Sequence, residues 1–267
     1  MFRHRTPALL LLALVMALPI RVGAEGPHRA IITEIVDGDT VIIDPPFKDG
    51  NEIRLVGIQA PKLPLGRNNF PTWPLAPEAR DALSAMVLGK PVELSFTGAR
   101  RDRYGRWLAH LDVISGSEKI WVQGAMLRSG LARVYSFPDN RGRVAEMLAE
   151  ERLARQDRLG IWSLAYYAIR NPEPAALADL LGTFQLIEGR VIDAAYVKGI
   201  VYLNFGPDWK TDFTVSLDRK AMRLFKGLPD DPREWTGRAV RVRGWLTDRN
   251  GPMIRATHPE QIELLDR

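Results

Sequence analysis

The sequence predicts a β-rich α+β protein in two consecutive units, the second a small OB-type β-barrel, and three observations carry that reading. Short runs of Ile, Val and Thr alternate with polar residues between turn signals, the period-2 pattern of half-buried strands. Only a few stretches repeat their apolar residues at helical spacing. A Pro- and Ala-rich boundary at 171–182 is followed by a fresh series of short strands. The 267 residues, 46% of them hydrophobic and 26% charged, suit one large domain or two small ones. Cysteine is absent, which excludes thiol nucleophiles, CxxC redox chemistry, iron–sulfur clusters and Cys-ligated zinc.

Residues 1–24 read as a leader rather than as fold. Arg3, His4 and Arg5 precede an apolar run from Ala8 to Ile20, and Val22-Gly23-Ala24 supplies the small residues of a signal-peptidase site. The run is too short to span a bilayer, which takes about 20 residues. The expectation is therefore export, with cleavage near Ala24 and a periplasmic or secreted product without a membrane span. Arg3, Arg5 and Arg21 would leave with the leader, lowering the net charge from +5 to +2. A polyanionic partner would then need a local basic cluster, such as Arg100, Arg101, Arg103 and Arg106, or Arg152, Arg155 and Arg158.

The elements follow in order. Ala30 to Ile43 alternates around Asp37-Gly38 and predicts a hairpin, with another strand at 52–58. Five prolines between Pro61 and Pro77 predict a long surface loop, and 78–88 an amphipathic helix ending at Gly89. Strands at 92–97 and 107–114 flank a polar turn; a short helix at 122–128, a strand at 131–135 and a helix over 140–157 complete the first unit. Beyond the boundary, strands are expected at 184–192, 197–205 and 212–217, a helix at 219–225, then strands at 239–246 and 253–256 and a short apolar segment at 262–265. Three strands, a helix and two strands is the order of a five-stranded OB-type barrel. Aromatic residues on its strands, among them Tyr202 and Phe213, suit either base stacking or barrel filling. Arg238, Arg241 and Arg243, followed by Trp245, suit either a nucleic-acid backbone or a solvated strand face.

Metal and triad motifs are lacking: His28, His110 and His258 have no partner at ligand spacing, and there is no HExxH, GxSxG or Walker motif. Three segments occurring in order carry more: Val36-Asp37-Gly38-Asp39-Thr40, Ile53-Arg54-Leu55-Val56-Gly57-Ile58-Gln59-Ala60-Pro61, and Asp102-Arg103-Tyr104-Gly105-Arg106. With Gly160-Ile161-Trp162-Ser163 they resemble the staphylococcal nuclease (thermonuclease) family over about Ile31 to Ser163. The resemblance implies a five-stranded, SNase-like OB barrel with three helices, giving a domain over 25–165; the linker at 166–182 and the OB-type barrel at 183–267 rest on the boundary and strand order above. It also implies calcium-dependent cleavage of DNA or RNA phosphodiesters. Asp39 then matches the first metal-ligand aspartate, Arg54 and Arg106 match the two phosphate-contacting arginines, and Tyr104 joins the substrate-binding set.

The family strand ends Asp-Thr-Pro-Glu, whereas here it ends Gln59-Ala60-Pro61-Lys62. Gln59 stands in place of a ligand carboxylate and Lys62 in place of the glutamate that positions the attacking water. Calcium affinity depends on carboxylate count, so Asp39 alone is a weak metal site and no cofactor is expected unless the ancestral calcium site still works. Glu78, which opens a helix, is a poor substitute for the lost glutamate, since a helix-start Glu suits the dipole. The expectation is a phosphate pocket of Arg54, Arg106 and Lys62 that binds nucleic acid or another phosphodiester, with hydrolysis weakened, altered or lost. An active nuclease with a non-standard site and a non-catalytic envelope scaffold, in which both arginines pair with Asp37, Asp39 or Glu52, are the alternatives.

Overall fold

The computed structural model describes residues 28–225 and 231–265, so the leader expected at 1–24 lies outside the described residues. The first alternating run forms the expected hairpin. β1 (His28–Asp37) and β2 (Thr40–Phe47) pair antiparallel, with Asp37 opposite Thr40 across a two-residue turn. β3 (Gly50–Leu55) pairs with β2; Ile53 and Leu55 are fully buried, and Glu52 and Arg54 alternate onto the other face. The strand expected over 52–58 ends early because Gly57, at φ +81°, turns the chain into β4 (Ile58–Gln59).

α1 (Ala76–Val87), β5 (Pro91–Ser95) and β6 (Trp107–Ser115) follow. Pairing of β3 with β6, parallel, and of β5 with β1 closes a five-strand barrel in the order β1–β2–β3–β6–β5. β7 (Glu118–Trp121) extends the sheet beyond β6; its exposed Glu118 and Lys119 hide the strand from a reading of apolar alternation. α2 (Val122–Arg128), β8 (Arg133–Val134), which pairs with β4, and α3 (Val144–Gln156) complete the unit, with three helices as expected. Leu83 and Val87 of α1, Met126 of α2 and Met147 of α3 are fully buried in one core with Ile32, Ile53 and Leu111. Each such side chain contributes about 1.5–3 kcal/mol of burial free energy.

The stretch 166–182, expected as a linker, carries a short helix and packs against both units. Tyr167 Oη donates to the Pro74 carbonyl at 2.8 Å, and Leu177 of the four-residue α4 (Pro174–Leu177) is fully buried in the second core. Beyond it lie β9 (Phe184–Arg190), β10 (Asp193–Val197), β11 (Ile200–Asn204), β12 (Thr214–Asp218), α5 (Arg219–Met222), β13 (Ala239–Asp248), β14 (Pro252–Ala256) and β15 (Ile262–Leu264). They form one seven-stranded sheet where five strands were expected. The expected strand at 197–205 begins with a turn at Lys198-Gly199, so Val197 closes β10 and Ile200 opens β11. The pairing runs β10–β11–β12–β14–β13, with β12 and β14 parallel, and β13 pairs back onto β9. Among the described residues no helix is long and apolar enough to cross a membrane.

The basic face on β13 is neither solvated nor open to a nucleic-acid backbone at Arg243. That side chain is 1% exposed and lies in the seam between the two units. Its Nη2 donates to Glu151 Oε1 of α3 at 2.8 Å and to Glu263 Oε1 of β15 at 2.6 Å. Arg155 of α3 also reaches Glu263, at 3.0 Å, and Arg141 forks onto Glu260. Burial favours the neutral form of Glu263, but Arg243, Arg155 and Arg241 outweigh it and hold the carboxyl down at about 2. His258, fully buried in the same seam, stands between Ser136 Oγ at 2.8 Å and Thr257 Oγ1 at 3.0 Å. Burial lowers its pKa to about 4.

Candidate nucleic-acid site

The turn between β1 and β2 is set by close packing. A Cβ on Gly38 would lie 2.7 Å from the Ala60 Cβ and 2.9 Å from the Ala79 Cβ of α1, so only glycine lets the turn approach both. That approach delivers Asp39, fully buried, to the chain that follows β4: the Ala60 amide donates to Asp39 Oδ2 at 2.8 Å. The Asp39 amide in turn donates to Asp37 Oδ1 at 3.0 Å, which fixes the two carboxylates side by side.

Lys62 lies between them. Its Nζ is 2.7 Å from both Asp39 carboxylate oxygens and 3.1 Å from Asp37 Oδ2, so a single ammonium meets three carboxylate oxygens. Arg54 completes the cluster from β3. Its Nη1 donates to the carbonyls of Asp39 and Leu55 at 3.1 and 2.7 Å, and its Nη2 to the Ile58 carbonyl at 2.7 Å and to Asp39 Oδ2 at 3.0 Å. Two carboxylates and two cations thus neutralise one another. Burial pushes the Asp39 carboxyl up against the pull of Arg54 and Lys62. For Asp37 the same burial is outweighed by Lys62, by its hydrogen bonds with Asp39 and by Arg54, which hold it below the ordinary carboxylate range.

Arg54 and Arg106, both expected at the phosphate pocket, differ in their surroundings. Arg54 is 8% exposed with both amino groups committed to backbone and aspartate, an arrangement that ties β2, β3 and β4 together. Arg106 stands further along: its Nε donates to Asp102 Oδ2 at 2.8 Å and its Nη1 lies 3.8 Å from Glu52, two residues before Arg54 on the same face of β3. Asp102 also shapes this turn by accepting from the amides of Tyr104 and Arg106. Tyr104 is 68% exposed, and Arg100, Arg101 and Arg103 are exposed around it. The structure therefore brings Asp39, Lys62 and Arg54 into one buried cluster, with Arg106 and Tyr104 on an open basic ridge beside it.

Gln59 has a partner that sequence reasoning missed. Its Oε1 accepts from Arg133 Nε at 3.0 Å and Nη2 at 2.7 Å across the β4–β8 pair. The only available signal was a cation inside the apolar strand 131–135. Glu78 is exposed at the start of α1. Among the described residues no three His, Asp or Glu side chains gather into a metal-holding group.

Comparison with known proteins agrees with this architecture. A family model described as staphylococcal nuclease homologue matches residues 52–164. The Escherichia coli protein ParB is 34% identical over 171 residues, spanning 60% of this chain and 88% of that protein. Endonuclease YncB of Bacillus subtilis (strain 168) is 34% identical over 135 residues, 49% of this chain and 60% of that protein. The thermonuclease of Staphylococcus intermedius is 27% identical over 166 residues, 58% of this chain and 94% of its own length. A five-strand barrel with three helices, and a relative matched along nearly its whole length, agree with the three ordered segments of the sequence: the chain belongs to the staphylococcal nuclease family.

Proposed function

We propose that this protein binds nucleic acid through its basic ridge and that the calcium-dependent phosphodiester hydrolysis associated with the family is weakened or lost. The observation that carries this reading is the position of Lys62 Nζ, 2.7 Å from both oxygens of Asp39. A calcium site needs several free oxygen ligands and gains affinity with each carboxylate. Here Asp39 already accepts from Lys62, Arg54, Ala60 and Thr40, and the Gln59 oxygen accepts from Arg133. That donor set does not fit calcium, and a lysine stands where a water-positioning glutamate would be needed.

Binding is a separate matter from hydrolysis. Arg103 and Arg106 with the exposed Tyr104 offer charge-assisted donors to phosphoryl oxygens and a ring face to a base. The names of the relatives, a thermonuclease and an endonuclease, support nucleic acid as the polyanion. The pattern of residues 1–24 supports export to the periplasm or the medium.

The test is fluorescence anisotropy with a single-stranded oligonucleotide, run beside a cleavage assay in calcium, magnesium and chelator. Binding should be salt-sensitive, equal in calcium and chelator, and weaker with a shallower salt slope in Arg106→Ala. Calcium-stimulated cleavage by the purified protein overturns the loss of hydrolysis. Absence of binding in all three conditions overturns the nucleic-acid reading and leaves a scaffold.

A further inference from the structure

Arg133 differs from the other buried arginines. Arg54, Arg155 and Arg243 each meet a carboxylate, whereas Arg133, 7% exposed, donates twice to one neutral amide oxygen, that of Gln59. Among the described residues no carboxylate pairs with it and nothing accepts from its Nη1. A guanidinium buried without a counter-charge is costly unless an anion joins it. Burial accordingly lowers its pKa to about 10, against the favourable pull of Tyr167, Glu151 and Tyr166.

Its surroundings are aromatic. The guanidinium carbon lies 4.7 Å from the Phe184 ring centre, 5.9 Å from Tyr167 and 6.0 Å from Trp73. From Trp73 the rings continue outward: Tyr166 is 6.0 Å away and 49% exposed, and Phe70 stacks at 6.1 Å. This group of rings borders the aspartate–lysine cluster, because Gln59 holds Arg133 and the Trp73 amide donates to the Lys62 carbonyl at 2.9 Å. A cationic floor beneath rings that reach the surface matches the two halves of a nucleotide, a phosphate and a planar base.

We propose that Arg133, Trp73 and Tyr166 form a second subsite that holds one nucleotide unit of a single strand, with its phosphate against Arg133 and its base against the Trp73–Tyr166 rings. The proposal rests on the nucleic-acid reading above and places a contact in the seam between the two units, away from the Arg106 ridge. A phosphate drawn to Arg133 supplies the counter-charge that Gln59 lacks. The competing role for the same atoms is a rivet, in which Arg133 only fastens β8 to Phe184 of β9.

Calorimetry on the full chain with thymidine 5′-monophosphate, inorganic phosphate and thymidine separates the two roles. The nucleotide should bind more tightly than either fragment. Tyr166→Ala, which removes an exposed ring, should weaken nucleotide binding by roughly tenfold and leave phosphate binding unchanged. Arg133→Gln should weaken nucleotide and phosphate alike by roughly tenfold or more. Trp209→Ala, an exposed ring on the second unit, should change neither. If Tyr166→Ala binds the nucleotide as wild type does, or if no nucleotide binds while the oligonucleotide still does, the subsite is overturned and the ridge reading stands. If neither nucleotide nor oligonucleotide binds, both readings fall.

Discussion

The two units share a pairing pattern and place different chemistry on it. Each contains a hairpin closed by two residues, Gly38-Asp39 between β1 and β2 and Lys198-Gly199 between β10 and β11, although in the second unit β9 precedes the hairpin. After each hairpin come a further strand, a helix, and a later strand that pairs parallel with it: β3 with β6, β12 with β14. In the second unit Lys198 and Gly199 both have positive φ, 50° and 84°, the compact hairpin turn, and Gly199 packs only against the flexible end of the Arg219 side chain. In the first, Gly38 is glycine for contact rather than for φ, and the turn carries a buried aspartate to two cations. Where the barrel of the first unit has Arg54 on β3, the sheet of the second has Ser216 on β12, paired across the sheet with Tyr202 and Arg255. The strand path is thus indifferent to function. A handful of charged residues at one turn makes the site.

That contrast is open to attack at several points. The largest effect is expected at the seam. Arg243→Ala leaves Glu151, fully buried, with Arg155 at 3.6 Å as its remaining ion-pair partner, and should cost about 3–5 kcal/mol by urea denaturation. An unchanged midpoint would mean that Arg243 is not needed to hold the seam, which Arg155–Glu263 and Arg141–Glu260 also bridge. Next, Lys62→Ala leaves Asp37 and Asp39 with Arg54 only and should cost about 2–3 kcal/mol. Gln59→Asp combined with Lys62→Glu should instead turn the cluster into a cation site, read as a rise in melting temperature with added calcium that the wild type lacks. No calcium response in the folded double variant would show that the surrounding loop has diverged as well.

Acid should loosen the seam in two stages. His258 has its pKa lowered from 6.5 to about 4, so the unfolded chain takes up the proton first. The stability it contributes is complete above pH 6.5 and declines as pH falls to 4, by about 3 kcal/mol. Glu263, held at about 2 against an ordinary 4.5, gives a second decline from 4.5 toward 2. His110, buried in the first barrel and also lowered to about 4, adds to the first stage, so His258→Gln should reduce that slope without abolishing it. A slope indifferent to His258→Gln would mean the seam histidine titrates normally. The smallest effects compare the turns. Gly38→Ala should cost about 2 kcal/mol through its clash with Ala60 and Ala79, and Gly199→Ala about 1 kcal/mol through its positive φ. Equal costs would remove the distinction between a turn fixed by packing and one fixed by its positive φ.

Much of this was legible in the residues and part was not, for physical reasons. The β1–β2 hairpin, the helices at 76–87, 122–128 and 144–156, and the parallel to the nuclease family follow from alternation, spacing and three ordered motifs. The Lys198-Gly199 turn was obscured because apolar residues flank it on both sides, and a continuous run looks the same as two short ones. Alternation on β13 says which side chains share a face and not what covers that face. Hence Arg243 reads as solvated when α3 and β15 enclose it. Arg54 was identified by motif, yet its commitment to four acceptors depends on how the chain turns at Gly57. Arg133 was missed because a single basic residue in a strand has no period to mark it.

The lysine between Asp37 and Asp39 has a thermodynamic consequence of its own. A free cation occupies a site in proportion to its activity, so a protein that depends on one inherits the ionic state of its surroundings through mass action. An ammonium attached to the chain at residue 62 is present at a fixed effective concentration and is not removed by dilution or by a chelator. The charge balance around Asp39 is therefore set once, when the polypeptide folds, and stays constant whatever salt the protein later meets.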